Sequence, residues 1–171
     1  MIQRVRFEQW IPVPLPRVFR FFSDPGNLPR LMPPELAAEI QSIERVAPPG
    51  PPDPDGAPAP AGVDTRITLS VRLLPPLPLR TTWVARIVEF EAGHHFADVQ
   101  EKGPFRHFRH RHEFASAVRD GTEGTIVGDD LEYDVGFGPL GDAVARLFVS
   151  GRLRATFEER QRRLEELLGR P

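Results

Sequence analysis

The residues of this chain best suited to chemistry lie in two runs: Phe108-Arg109-His110-Arg111-His112-Glu113-Phe114, and Asp129-Asp130-Leu131-Glu132-Tyr133. Between them stands Asp120-Gly121. An Asp-Gly pair between alternating runs specifies a two-residue hairpin turn, because both central positions need positive φ. With that turn, Arg119 pairs with Thr122, His112 with Asp129, His110 with Leu131 and Phe108 with Tyr133. Alternation then puts Phe108, His110, His112 and Phe114 on one face, joined by Asp129, Leu131 and Tyr133. The apolar members make that face the buried one. Two imidazoles and a carboxylate are thus carried into an apolar setting, where ionisable groups are costly unless paired.

A histidine held by a carboxylate is a proton carrier near neutral pH. His112 as general base, oriented by Asp129, would suit enolisation or dehydration of a bound carbonyl compound. His110 and Tyr133 would then stabilise the developing negative charge. The same cluster can instead recognise a ligand's polar groups without turning the ligand over. The plainest alternative is a cross-strand His112–Asp129 pair that fixes register, with His110 satisfied by a water. His-x-His with Asp129 also offers three zinc-type ligands, a motif too short to be specific.

The elements that must position these groups follow from patterning. Residues 3–11 alternate around Val5, Phe7 and Ile11 and read as a strand. Prolines 14 and 16 confine a helix to start there, and Val18, Phe19 and Phe22 give residues 15–23 an apolar face. A second short helix is expected over 26–32. Residues 35–47 are ambiguous: Glu35 to Ile40 favours helix by propensity, and the continuation to Val46 reads as strand. Strands are expected at 63–74, with Val63, Ile67, Leu69, Val71 and Leu73 on one face, and at 80–90, with Trp83, Ala85 and Ile87 aligned. An Ala92-Gly93 turn leads to a strand at 95–101. In that register Ile87 faces Asp98 and Ala85 faces Gln100, which turns Asp98 and Gln100 inward. A two-residue turn at Gly103-Pro104 would put Gln100 opposite His107, and one extra residue restores inward pairing. A helical pattern runs from about 140 to 168 through Val144, Leu147, Leu153, Phe157 and Leu164. Its Ser150-Gly151 costs helix stability, and 158–163 reads as a mostly solvated charged face.

Composition bounds the rest. The chain has 171 residues, a net charge of −2 and no cysteine. One domain, 1–171, is the expectation. Thiol chemistry and disulfides are excluded. The charge gives no support to nucleic-acid binding, although Arg106, Arg109 and Arg111 form a basic stripe expected on the solvated face. There is no apolar run of membrane-spanning length and no apolar leader pattern, so a cytoplasmic location is expected. Seven prolines in 48–61 mark a mobile loop. Edge strands at 3–11 or 37–47 offer a surface for a homodimer.

Six antiparallel strands after a strand and two short helices, closed by one long helix, give an α+β domain. This order resembles the helix-grip superfamily of START-like (SRPBCC) proteins. The branch it is most similar to is a bacterial polyketide cyclase/dehydrase-like ligand-binding group. The resemblance is carried by Pro14 to Phe22, Asn27-Leu28, Trp83, Phe96-Ala97-Asp98, Gly103-Pro104-Phe105, Phe108, His110-Arg111-His112-Glu113-Phe114, Asp129, Leu131, Tyr133 and Phe137-Gly138. It spans nearly the whole chain. The branch often has Trp at the position of Phe108. The resemblance implies a curved sheet gripping a long C-terminal helix around a deep cavity, and a strand rather than a helix at 35–47. It implies a small hydrophobic or amphipathic ligand and no metal or other cofactor. Val71, Trp83, Ile87, Phe108, Leu131, Val144 and Leu147 are expected to form an apolar wall. Asp98, Gln100, His110, His112, Asp129 and Tyr133 are expected to form a polar end. Relatives include both carriers and cyclases, so a cyclase or dehydrase using His112 and Asp129 stands beside a binding protein. A protein-interaction module with a collapsed cavity is the third reading.

Overall fold

The structure is a computed structural model that describes residues 1–50, 59–72, 77–139, 143 and 145–169. Strand β1 (Gln3–Ile11) is followed by helix α1 (Leu15–Phe22). Pro14 and Pro16 sit where a helix tolerates them, before and within the first turn, and Val18, Phe19 and Phe22 are buried. A 3-10 turn at Pro25–Asn27 runs into the short helix α2 (Leu28–Leu31). Another 3-10 turn, Pro34–Leu36, precedes β2 (Glu39–Glu44). The helical propensity of Glu35 to Ile40 is therefore spent on a single turn, and sheet pairing takes the remainder.

Five more strands follow: β3 (Arg66–Arg72), β4 (Arg80–Glu91), β5 (His95–Lys102), β6 (His107–Arg119) and β7 (Thr122–Asp134). All seven lie in one antiparallel sheet of order β1-β7-β6-β5-β4-β3-β2. β1 and β2 are its two edges. Val63, expected to open the third strand, is exposed and lies before it, while Ile67, Leu69 and Val71 are buried on one face. Leu73, Pro75 and Pro76 lie outside the described residues.

Register is set by turn chemistry. Asp120 (φ 49°) and Gly121 (φ 75°) form the β6–β7 turn, and His112 pairs with Asp129 as the turn requires. The β4–β5 loop holds one residue more than an Ala92-Gly93 turn, because Glu91 pairs with His95. A bulge between Ile87 and Glu89 removes the extra step, so Ile87 still faces Asp98 and Ala85 faces Gln100. Between β5 and β6, Asp98 pairs with His110. That is the inward register, and the connection at Gly103-Pro104 carries the one added residue it needs. Bulges in β2–β3 and β4–β5 bend the sheet about the helix that covers it.

That helix is α3 (Ser150–Leu168). The chain enters it through a π-helical turn at Ala145–Val149, so the regular α-helix begins at the Ser150-Gly151 step. Its C-terminal half is docked. Leu164 and Leu168 join Ile11, Val18, Phe19, Phe22, Phe96 and Phe114 in the main core. Phe157 stacks on Phe7 of β1 at 4.5 Å, and Gln9 Nε2 donates to the Gln161 carbonyl at 3.0 Å. Arg163 Nε donates to the Arg30 carbonyl of α2 at 2.7 Å. In the proline-rich segment, residues 51–58 lie outside the described residues. At its end Ala61 is buried, and its N–H donates to the Ser23 carbonyl at 2.9 Å.

Candidate functional site

The hairpin β6–β7 delivers its polar residues to the concave side as expected. Asp129 Oδ1 is the centre. It accepts from His110 Nε2 at 2.8 Å and lies 2.8 Å from His112 Nδ1. Arg160 Nη2, from α3, lies 3.3 Å from the same oxygen. His110, His112, Asp129 and Arg160 are all buried. The Asp129–His110 contact is diagonal, one pleat beyond the directly paired Leu131.

These contacts fix protons. Burial opposes ionisation of Asp129, but Arg160 and the donors from both imidazoles overcome it and hold its carboxyl well below the usual range. An ionised carboxylate only accepts, so the His110 Nε2 hydrogen-bonded to it at 2.8 Å carries the hydrogen. His112 Nδ1 has two neighbours, the Asp129 oxygen at 2.8 Å and Arg160 Nη2 at 3.3 Å. Burial is the main cause pushing the His112 pKa down to about 3, with the neighbouring His110 adding to it. His112 is thus neutral near pH 7, and the nitrogen it turns away from Asp129 is Nε2. That nitrogen looks toward Asp98 Oδ2 on β5, 3.9 Å away. Burial raises the Asp98 pKa, against the pull of His110 and Arg160.

Aromatic rings wall this cluster. Phe96 lies 4.4 Å from the His112 ring, and Phe157 meets His110 edge-on at 5.4 Å. The Arg160 guanidinium sits over Phe22 and Phe157, at 5.2 and 5.4 Å from their centroids. Such cation–π contacts stabilise a buried guanidinium.

A cavity of about 540 Å³ opens between the sheet and the N-terminal half of α3. Ile67, Leu69 and Val71 of β3, Trp83, Ala85 and Ile87 of β4, and Phe105 and Phe108 form its apolar sheet wall. Leu28, Leu31 and Met32 of the α2 region and Leu153 and Phe157 of α3 close the opposite side. Asp98, His110, His112 and Arg160 supply a polar patch on this lining. An outer cleft of about 660 Å³, reaching Glu35 and Gly151, shares Leu36, Arg72, Arg152 and Thr156 with the cavity wall. Apolar lining with a few convergent polar groups is the usual character of a small-molecule site.

Residues 11–162 match the family described as polyketide cyclase / dehydrase and lipid transport. The chain belongs to this family. No curated protein sequence matches it. Among solved structures it is similar to TTHA0849 from Thermus thermophilus, at 24% identity and TM-score 0.62, over 96% of this chain and 95% of that one. It is also similar to a START superfamily protein from Mycobacterium smegmatis, at 17% identity and TM-score 0.62, covering 96% and 98% of the two chains. A norcoclaurine synthase point mutant from Thalictrum flavum, in complex with a transition-state analogue, aligns at 18% identity and TM-score 0.57, over 97% and 96%. These likenesses establish the helix-grip, START-like fold.

In this polyketide cyclase/dehydrase and lipid transport family member, the expected site residues divide into three groups. Val71, Trp83, Ile87, Asp98, Phe108, His110 and His112 line the cavity, and Asp129 stands directly behind the histidines. Gln100, Leu131 and Tyr133 are not among the lining residues. Gln100 Nε2 donates instead to the Phe105 carbonyl at 2.6 Å and braces the β5–β6 connection. Leu131 and Tyr133 are packed with Phe108 and Phe157. Leu147, expected on the wall, is 73% exposed; the π-helical turn shifts the helical phase, so Phe148 and Val149 reach the cavity in its place. Val144 lies outside the described residues.

On the outer face of the sheet, Arg109 and Arg111 of the basic stripe both bind Glu89, and Arg111 also binds Glu113. One expectation is corrected. The stretch 158–163 is not wholly solvated, since Arg160 is buried. A signal for Arg160 was present in the sequence. It stands in phase with Leu153, Phe157, Leu164 and Leu168, on the apolar stripe of the helix.

Proposed function

We propose that this chain is one binding domain for a small hydrophobic or amphipathic molecule held in the cavity between α3 and the sheet. The observation that carries this reading is the open apolar volume itself, with His110, His112, Asp98 and Arg160 grouped on one part of its lining. A collapsed interaction module would have filled that space with side chains. The lipid-transport description of the family supports the same reading. The ligand's hydrocarbon or aromatic body would lie against Ile67, Leu69, Trp83 and Ala85. Its polar end would meet the histidines.

A second reading is favoured by one feature, the neutral His112 held 2.8 Å from Asp129 at the cavity lining. With a pKa lowered to about 3, it would serve as general base toward a bound carbonyl compound only if the ligand raised that pKa toward neutrality. The chain would then be a cyclase or dehydrase, with Asp129 as the positioning residue.

Native mass spectrometry of untagged, gently purified protein tests the first reading, followed by titration with a fluorescent fatty acid and an aromatic polyketide-like probe. Stoichiometric uptake is expected in the wild type, with at least tenfold weaker binding in Ala85→Phe, whose ring would occupy the cavity. The reading fails if the wild type takes up neither probe, or if Ala85→Phe binds as well as the wild type. His112→Ala separates the two readings: in a carrier it leaves uptake of the apolar probe intact, and in an enzyme it abolishes turnover of the compound found bound.

A further inference from the structure

We propose that Asp98, His110 and His112 form a site for a divalent metal ion of the zinc type, set in the cavity lining. One donor atom from each residue lies within 4.8 Å of the other two. Two imidazole nitrogens and a carboxylate oxygen are a zinc-type donor set, and a fourth position facing the cavity would stay open to a ligand. The sequence pattern offered Asp129 as third ligand, and the structure gives Asp129 a different part. One of its oxygens accepts the His110 Nε2–H and lies 2.8 Å from His112 Nδ1. Metal-ligating histidines hold their free nitrogens toward the metal through this kind of contact behind them. This commits His110 Nε2 to Asp129 and leaves His110 Nδ1 as the nitrogen able to bind a cation, while His112 turns its Nε2 toward Asp98.

Charge points the same way. Arg160 is already committed to Asp129 at 3.3 Å, and the two charges cancel. Asp98 has no such partner. Among the described residues its one contact within ion-pair range is His112 Nε2, at 3.9 Å. A dication between Asp98 and the two rings would supply the opposite charge that this carboxyl group lacks. Ligand atoms about a tetrahedral zinc are roughly 3.4 Å apart, given its bond lengths of about 2.1 Å. To reach that spacing the 3.9 Å Asp98–His112 gap has to close by about 0.5 Å, and the widest donor separation, within 4.8 Å, by no more than about 1.4 Å, which side-chain rotation can supply. Each donor comes from a paired central strand, β5 or β6, which limits how far the site can spread.

The test uses untagged protein stripped with a chelator, then titrated with Co2+ and Zn2+ alone. One equivalent of Co2+ is expected to bind, with visible absorption of the tetrahedral type, and Zn2+ is expected to displace it. Zn2+ is also expected to raise the melting temperature, reversibly on adding chelator. Asp98→Asn keeps size and shape and should lower affinity at least tenfold; His112→Ala should abolish the cobalt spectrum. His95→Ala, on the outer face beside Glu89 and Glu91, should bind as the wild type does. A flat wild-type isotherm overturns the site, and so does an Asp98→Asn variant with unchanged affinity and spectrum. Fluorescent-probe uptake by the stripped protein reports on the cavity separately, so loss of the metal proposal leaves the binding reading to its own test.

Discussion

Arg160 of α3 and Asp129 of β7 meet in the interior, with Nη2 and Oδ1 3.3 Å apart and both side chains buried. This contact joins the gripping helix to the strand that organises the histidines. It also explains why a charged residue stands on the apolar stripe of α3. Without Arg160, the ionised Asp129 would be buried with no guanidinium to offset its charge. Removing one partner of a buried ion pair costs about 3–5 kcal/mol, because the other charge is left uncompensated. Arg160→Leu is therefore expected to lose stability of that order in urea unfolding. The double variant Arg160→Leu/Asp129→Asn is expected to recover a large part of the loss. A double variant no more stable than Arg160→Leu would show that the pair contributes by packing alone.

His112 makes stability depend on pH. Its folded-state pKa is lowered to about 3 from an ordinary value of 6.5. The unfolded chain thus takes up this proton first as pH falls. Its contribution is fully present above pH 6.5 and is lost progressively from there toward pH 3, by up to about 1.4 kcal/mol per pH unit. Asp129 works in the same direction at lower pH, because its folded pKa is depressed and its stabilisation fades only below the ordinary carboxylate range. Asp98, with a raised pKa, acts oppositely and favours folding as it protonates. Urea midpoints measured between pH 7 and 4 should therefore fall for the wild type and fall less steeply for His112→Phe. Equal slopes for the two proteins would remove His112 from the account.

Much of this site was legible because local chemistry governed it. Asp120-Gly121 set the β6–β7 register, and with it the His112–Asp129 pairing, since a one-residue slip would have turned every inward side chain out. The inward face of Asp98 was readable too, although for an incomplete reason. The loop before β5 is one residue longer than Ala92-Gly93 alone, and a bulge within the strand pair cancels the difference. What local pattern could not supply was contact between distant elements. Arg160 reads as solvated in its charged run, and only its phase with Phe157 and Leu164 betrays burial. Leu147 was misplaced because a π-helical turn shifts the phase of everything before Ser150, and no periodicity fitted to a regular helix includes that step.

Gly124 has a steric role that its place in β7 conceals. A Cβ there would lie 2.4 Å from the Ile11 carbonyl oxygen and 2.6 Å from the Trp10 ring. The oxygen belongs to backbone at the end of β1 and cannot swing aside. Gly124→Ala should therefore push the β1 edge off β7 at Thr125–Ile11, at a cost of about 1–3 kcal/mol. Trp10 fluorescence and hydrogen exchange of the β1 amides would report it. A variant as stable as the wild type, with unchanged β1 protection, would show that the edge gives way without cost.

Gly151 poses the opposite case. It stands in the first turn of α3, its φ is not positive, and a Cβ there would meet nothing within 4 Å. It borders the outer cleft beside Arg152 and Ala155, so a methyl group would enter open space. Glycine in a helix costs about 1 kcal/mol relative to alanine through backbone entropy. Gly151→Ala should return that amount and raise the melting temperature by roughly 2–5 °C. Probe uptake separates two roles for the glycine. If the step from the π-helical turn into α3 must flex to admit a ligand, the stiffened helix will bind more slowly while holding its equilibrium affinity. If the cleft is a fixed passage, stopped-flow traces of the two proteins will superimpose and only stability will change. The second outcome is expected, because the apolar wall on α3 is made by Leu153 and Phe157, which lie beyond the glycine on the regular part of the helix.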